Sequence, residues 1–306
     1  MISFPNAKIN IGLHVVGKRP DGYHDIETVF YPVNLQDALE VTLMKPLDSG
    51  ELRRRISAGK LVRPEETPLL SRMRRKADDL PCCSLEMTGL DIEGPAQDNL
   101  VVKAYLMLAH DFDLPAIDIR LHKHIPTGAG MGGGSSDGAS MISLLNRRFG
   151  LRMKDGLMEQ YAARLGSDCA FFIQNTPVIA TGRGEIMNPV NLNLHGWYIV
   201  LVKPDVHIST AMAYAGVVPQ EPPLPLQEAV RRPVTQWRDI IVNDFEQSVF
   251  KQYPVLSEIK EKLYAMGAGY ASMTGSGATV YGLFKKPADN PAATFPGMFC
   301  AQRELL

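Results

Sequence analysis

Ile125-Pro126-Thr127-Gly128-Ala129-Gly130-Met131-Gly132-Gly133-Gly134-Ser135-Ser136-Asp137-Gly138-Ala139 is the stretch whose reading decides the fold of this chain. Five glycines in the seven positions from 128 to 134 strip nearly every Cβ from one loop, so its backbone can take positive φ and approach a bound group closely. Upstream, Ile117 to His122 reads as the strand that delivers the loop. Downstream, Met141-Ile142-Ser143-Leu144-Leu145 reads as a helix. A glycine-rich loop feeding a helix N-terminus offers free N–H groups and the positive end of a helix dipole, and both favour an anion. The expected ligand is a polyphosphate. A flexible glycine linker is the plain alternative, but linkers are not usually bracketed by an apolar strand and an apolar helix.

Better-known phosphate loops do not fit. A P-loop requires Gly-x-x-x-x-Gly-Lys-Ser/Thr, and no lysine lies between Pro126 and Leu145. A dinucleotide fold wants an acidic residue about 20 positions on, at a strand end. Asp155 is near that spacing, but Lys154-Asp155-Gly156 looks like a helix start. The lysine, HRD and DFG partners of a protein-kinase glycine loop are missing as well.

Size and composition set outer limits. With 306 residues the chain has room for one large or two ordinary domains, and 45% hydrophobic with 21% charged residues describes a globular protein with a sizeable core. A formal net charge of −1 argues against a general binder of nucleic acid or membrane surfaces. Cys82, Cys83, Cys169 and Cys300 show no CxxC spacing and read as reduced thiols of a cytosolic protein. Met1 to Lys8 lacks the basic flank and long apolar core of a signal peptide, and no apolar run approaches the ~18 residues that span a bilayer. A cytoplasmic, enzyme-sized protein is expected.

Along the chain, Ile9, Ile11, Leu13 and Val15 alternate with Lys8, Asn10, Gly12 and His14, a strand with the polar residues on one face. The turn Arg19-Pro20-Asp21-Gly22 returns it as a second strand from Tyr23 to Pro32, making a hairpin. Further strands are expected at Ala38 to Met44, Ser84 to Thr88, Val178 to Thr181, Trp197 to Val202, Tyr270 to Thr274 and Ala278 to Phe284. Helices are expected from Asp98 or Asn99 to about Phe112, Lys154 to Leu165 and Leu256 to Met266, with a proline-rich connection from Pro222 to Pro233. Residues 48 to 82, with Arg53-Arg54-Arg55 and Arg72-Met73-Arg74-Arg75-Lys76, read as a solvated insertion, with a partner-docking or phosphate-collecting arm as the alternative. Strands and helices mix without a strict βαβ repeat, so the fold class is α+β and not a doubly wound sheet.

Three motifs stand in order: Pro5-Asn6-Ala7-Lys8-Ile9-Asn10-Ile11-Gly12-Leu13, the loop at 126 to 139, and Met273-Thr274-Gly275-Ser276-Gly277-Ala278-Thr279. Together they resemble the GHMP small-molecule kinases. The middle motif is similar to that family's Pro-x-x-x-Gly-Leu-Gly-Ser-Ser-Ala loop, with Met131 where leucine is usual. Arg19-Pro20-Asp21-Gly22-Tyr23-His24, Leu165-Gly166-Ser167-Asp168 and Gly182-Arg183-Gly184-Glu185 narrow the resemblance to a branch acting on a cytidylyl sugar alcohol. It covers nearly the whole chain outside residues 48 to 82. It implies a two-domain GHMP kinase fold, with residues 1–175 as the nucleotide-binding domain, residues 176–306 as the substrate domain, and the active site in the inter-domain cleft. ATP and Mg²⁺ are the implied cofactors, the metal being held mainly through the nucleotide phosphates with no assigned protein ligand. The implied partners are the small-molecule alcohol and ATP, in a monomer or weak homodimer that binds neither nucleic acid nor membrane.

Phosphoryl transfer asks a protein chiefly to position a hydroxyl and neutralise charge. Asp168, in a Gly-Ser-Asp-Cys turn before an apolar run, suits the base that accepts the hydroxyl proton, and Lys8 is its natural cationic partner. Unaided, Asp168 is equally a turn or capping aspartate and Lys8 a solvent-facing lysine. The phosphates are expected against Pro126, Gly128, Gly130, Gly132, Gly133 and Gly134, with hydroxyls from Ser135 and Ser136. Asp137 is expected to cap the following helix, with a water-mediated approach to Mg²⁺ as the lesser alternative. The resemblance places Asn99, Leu100 and Lys123 in the adenine pocket; their plain readings are a helix cap, a core residue and an exposed lysine. It places Tyr23, His24 and Tyr214 around the cytosine, where aromatic stacking suits a neutral base. Asn10 is expected at the sugar-alcohol hydroxyls. Gly275 and Ser276 would offer backbone amides to the substrate, though a tight hairpin turn explains them equally well. The histidines show no His-x-x-x-His or Cys/His cluster, so no protein-bound structural metal is expected.

Overall fold

The computed structural model describes residues 1–45, 47–63, 82–92 and 94–305. They gather into two compact units, one of Met1–Pro5, Gln36–Ile125 and Gly133–Gln174, the other of Asn6–Leu35, Pro126–Gly132 and Asn175–Leu306. A single division after residue 175 does not describe this arrangement, because residues 6–35 and the loop 126–132 group with the C-terminal residues. Main-chain pairing supplies the reason. Leu13 N–H donates to Val242 O at 2.9 Å and Leu13 O accepts from Asp244 N–H at 2.9 Å, so the first long strand is built into the C-terminal unit.

The first unit holds a four-stranded sheet in the order Ile2–Ser3, Ala38–Leu43, Ile117–Lys123, Cys83–Gly89. Cys83–Gly89 runs parallel to Ile117–Lys123, and the helix Leu100–Asp111 lies in the connection between them. The remaining pairs are antiparallel, with Ala38 opposite His122. Ile117, Ile119, Leu121 and Lys123 are buried, whereas Arg120 between them is exposed, which is the period of two expected of a sheet covered on one face. Val101, Tyr105 and Leu108 of Leu100–Asp111 and Met141, Ile142 and Leu145 of the helix Gly133–Phe149 pack with these strands as one core. Arg120 pairs with Glu86 at 3.1 Å and Glu40 at 3.3 Å on the polar face.

Two sheets build the second unit. One runs Asn6–Lys18, His24–Gln36, Val178–Thr181, Ile186–Pro189, and the other runs Tyr270–Met273, Val280–Phe284, Tyr198–Lys203, Phe299–Glu304. The expected hairpin forms, closed at 19–23 by Arg19 N–H to Tyr23 O at 2.8 Å and Gly22 N–H to Arg19 O at 3.1 Å. Its polar face is not solvated: Lys8, Asn10 and His14 are as buried as the aliphatic residues between them. The helix Pro254–Ala265 packs Leu256, Ile259 and Leu263 against Val200, Val202, Ala271 and Val280.

Mixed helices and sheets bear out the α+β class. Strands Ile186–Pro189 and Phe299–Glu304 escape the sequence reading because neither has a buried face that alternates cleanly. Within residues 48–82, Ser49–Ser57 is a helix capped by Asp48, which accepts from Gly50 N–H and Glu51 N–H. Arg54 and Arg55 pair there with Glu51 at 3.1 and 2.7 Å. The basic run Arg72 to Lys76 lies outside the described residues. All four cysteines are free, and no described helix is long and apolar enough to cross a membrane.

Gly130 has φ +74°, and a Cβ on it would stand 2.1 Å from the carbonyl oxygen of Thr274. The close approach this glycine permits is therefore to the protein's own backbone. Gly130→Ala should cost about 1–3 kcal/mol of stability. Gly156→Ala, at a helical position where a Cβ meets nothing within 4 Å, should be neutral or gain up to about 1 kcal/mol. Urea unfolding of the two variants checks the contrast.

Candidate active site

The site is built first on the strand Asn6–Lys18. Lys8 is 3% exposed, its ammonium donates to Asn10 Oδ1 at 2.6 Å, and it lies 4.5 Å from the centroid of the Phe30 ring. A buried ammonium needs such partners, because desolvation is otherwise costly. Asn10 is tied in turn on every side. Its Nδ2 donates to Thr28 Oγ1 at 3.0 Å, its backbone N–H to Thr274 Oγ1 at 3.0 Å, and its carbonyl accepts from Tyr281 Oη at 2.9 Å. Asn10 thus orients Lys8 as well as lying where a substrate hydroxyl is expected. Thr28, Thr274 and Tyr281 hold Asn10 in place without a local sequence signal; Thr274 stands in the motif Met273 to Thr279, but nothing in the local pattern pairs it with residue 10.

The first half of the glycine loop is fastened to the same group. Lys8 N–H donates to Met131 O at 2.9 Å, Thr274 Oγ1 to Gly130 O at 3.0 Å, and Thr279 N–H to Ala129 O at 3.3 Å. Pro126 is half-buried and Gly128 is exposed, with φ +61°. Gly275, with φ +57°, and Ser276 lie in the turn joining Tyr270–Met273 to Val280–Phe284. Asn243 holds that turn by donating from Nδ2 to Met273 O at 2.8 Å and Gly275 O at 2.9 Å.

The helix begins earlier than the apolar run implies, at Gly133. Gly133, Gly134, Ser135 and Ser136 therefore form its first turn, whose N–H groups have no partner within the helix. Gly134 is exposed and a Cβ on it would meet nothing within 4 Å, so its glycine answers no packing demand of the protein. That open surface over free amides fits a phosphate group. Ser135 is half-buried, whereas Ser136 is buried. Burial pushes the Cys169 thiol up to about 11, keeping it protonated. Asp168, the candidate base, is the half-buried residue immediately before Cys169.

Lys123 and Asp137 differ from expectation. Asp137 does not cap the helix; it is the fifth residue from its start, 2% exposed, and its Oδ2 accepts from Lys123 Nζ at 2.6 Å. Lys123 is not an exposed lysine: at 1% exposure its ammonium is shared between Asp137 and Asp37. Asp37 Oδ1 also accepts from His124 N–H at 2.6 Å and Ile125 N–H at 2.9 Å. Asp37 carried no signal in the sequence beyond standing between two strands. Burial, and then the Asp37 charge opposing Lys123, push the Asp137 carboxyl up to about 7.

Asn99 caps Leu100–Asp111, accepting from Val101 N–H at 3.0 Å, and Leu100 is half-buried at the start of that helix. In the second unit His24 and Tyr214, far apart in sequence, stack at 4.7 Å with a 17° interplanar angle, and Phe245 meets Tyr214 edge-on at 4.8 Å. Tyr23 is 57% exposed, with the Arg183 guanidinium 5.1 Å from its ring centroid. His122, near the end of the strand Ile117–Lys123, and His124, just past it, bring their Nε2 atoms to 3.1 Å. Among the described residues no three His, Cys, Asp or Glu side chains form a group that could hold a metal ion.

Two measurements follow from this geometry. Gly134→Ala should leave thermal stability unchanged or slightly raised while weakening nucleotide binding, read by titration with an ATP analogue; unchanged affinity would remove Gly134 from the phosphate site. Asp137, raised from 3.8 to about 7 in the fold, binds its proton more tightly folded than unfolded. Its contribution to stability is therefore present at low pH and is lost as pH rises from about 4 through 7. Wild type should lose more melting temperature than Asp137→Asn between pH 5 and pH 8.

Comparison with known proteins agrees with the geometry. Residues 99–176 match the GHMP kinases N terminal domain and residues 226–294 the GHMP kinases C terminal domain. A 4-diphosphocytidyl-2-C-methyl-D-erythritol kinase of Bacteroides fragilis is 49% identical over 100% of both chains. One of Parabacteroides distasonis is 45% identical over 94% of this chain and 93% of its own. The crystal structure of a 4-(cytidine 5'-diphospho)-2C-methyl-D-erythritol kinase superposes with a TM-score of 0.75 at 26% identity, covering 99% of this chain and 98% of that one. With near-complete relatives at this identity and both domain models in order, the chain belongs to the GHMP kinases.

Proposed function

We propose that this protein transfers the γ-phosphoryl group of ATP to the 2-hydroxyl of 4-diphosphocytidyl-2-C-methyl-D-erythritol, a step in the non-mevalonate route to isoprenoid precursors. The observation that carries the reading is 49% identity over 100% of both chains to a kinase bearing that substrate's name. In this reading the Asp168 carboxylate takes the hydroxyl proton as the oxygen attacks the γ-phosphorus. The bond to the β–γ bridging oxygen breaks and ADP leaves. Lys8 stabilises the charge that develops on the attacking oxygen. Its burial and the bond to Asn10 support this role, because a desolvated, fixed cation acts more strongly than a mobile solvated one. The amides of Gly133 to Ser136 hold phosphate oxygens, and Mg²⁺, when bound through those oxygens, supplies further charge neutralisation. Asn99 and Leu100 border the adenine. Lys123 is assigned to the same pocket, with its ammonium committed to Asp37 and Asp137. The stacked His24 and Tyr214, with Tyr23, are suited to a planar pyrimidine. Asn10 and the turn at Gly275 and Ser276 take the sugar-alcohol end.

A GHMP kinase for a different alcohol is the second reading. The mevalonate kinase of Methanococcus jannaschii superposes with a TM-score of 0.65 at 10% identity, which shows the fold alone. An assay coupling ADP release to a panel of alcohols decides. Turnover is expected with the cytidylyl sugar alcohol. ADP release with mevalonate or homoserine and not with it would overturn the substrate, and binding without turnover would indicate a sensor of the same fold. Lys8→Ala and Asp168→Asn should each lower kcat by about 10²–10⁴-fold with folding intact by circular dichroism. Near-wild-type turnover in either folded variant would remove that residue from the mechanism.

A further inference from the structure

The strand Ile117–Lys123 and the helix Gly133–Phe149 flank the loop 126–132, and one buried cation joins them. Lys123, the last residue of the strand, reaches Asp137 in the second turn of the helix. A Cβ on Gly133 would lie 3.5 Å from Lys123 Nζ, so the ammonium sits directly beneath the first turn of that helix. On the strand side, Asp37 Oδ1 grips the N–H groups of His124 and Ile125, the residues from which the loop departs, while its Oδ2 meets the same ammonium. Asp37, Lys123 and Asp137 are each 2% exposed or less.

Stability alone does not account for such a cluster. Buried ion pairs are often matched or bettered by apolar residues of similar volume. This one holds one cation against two carboxylates and leaves Asp137 Oδ1 without a hydrogen-bond partner. What it supplies is direction: four hydrogen bonds from three side chains fix the backbone on the strand side of the loop relative to the second turn of the helix. Apolar packing does not fix backbone amides with that precision.

We propose that Asp37 and Asp137, acting through Lys123, are positioning residues for the nucleotide triphosphate, holding the first turn of Gly133–Phe149 in the geometry that binds phosphate. The inference rests on the reading of that turn as the ATP site. It touches neither the alcohol nor the reacting atoms, so its signature is a selective effect on nucleotide affinity.

The test uses the full chain with three variants: Asp137→Ala, Asp137→Asn, and the apolar double variant Lys123→Met with Asp137→Leu. Affinity for a non-hydrolysable ATP analogue is measured by calorimetry, and KM for ATP and for the alcohol by steady-state kinetics. Asp137→Ala and the double variant should weaken nucleotide affinity and raise KM for ATP by about tenfold or more, with KM for the alcohol within about twofold. Asp137→Asn, which retains an acceptor for Lys123, should recover most of the affinity lost in Asp137→Ala. A folded double variant that binds the analogue as tightly as wild type would overturn the proposal, even if Asp137→Ala does not fold. Equal rises in both KM values would overturn it too. Failure of wild type to bind any ATP analogue would sink the nucleotide reading itself, a separate result.

Discussion

A lysine ammonium in a protein interior must be met by hydrogen-bonding or charged partners, and this constraint acts once in each of the two units. Lys8 meets it with Asn10 in the second unit, and Lys123 meets it with Asp37 and Asp137 in the first. Each set of partners also holds backbone around the glycine-rich loop. Asn10 binds Thr274, which binds Gly130 O, and Asp37 binds the amides of His124 and Ile125. A loop with few side chains cannot fix its own shape, so its shape is imposed by buried polar groups on neighbouring elements.

That dependence separates the glycines into different tasks. Gly130 leaves room for the carbonyl of Thr274, a demand of the fold. Gly133 lies against Ile125, where a Cβ would come within 2.8 Å of its side chain. Gly134 faces open space and fits a ligand. A run that looks uniform in sequence therefore mixes glycines that the packing of the protein demands with one, Gly134, on which it makes no demand.

Much of the fold was legible because burial follows period. The alternation in Ala7 to Val16, the Arg19-Pro20-Asp21-Gly22 turn and the apolar helix faces all appear as local patterns, and each element formed. The burial of Lys123 was also implicit: extending Ile117, Ile119 and Leu121 by two positions puts it on the covered face, provided the strand does not stop at His122. Edge strands such as Phe299–Glu304 were not legible, since an element with no fully buried face leaves little periodic trace. Of the site, Lys8, Asn10 and the loop stood out through their motifs. Thr28, Asp37, Asn243 and Tyr281 did not, because a lone polar residue carries no mark of the distant group it will meet.

Residue types and their local spacing alone pointed to an α+β fold with a glycine-rich loop, suited to an anion, before a helix. Those properties arise within a few residues, from Cβ sterics, strand and helix periods and free helix-terminal amides. Only the tertiary structure decided that the N-terminal hairpin packs with the C-terminal residues, that His24 stacks on Tyr214, and that Asp137 serves an ion pair instead of a helix cap. Each of these joins groups 14 or more residues apart, whose meeting is settled by main-chain pairing and by the need to satisfy buried charge.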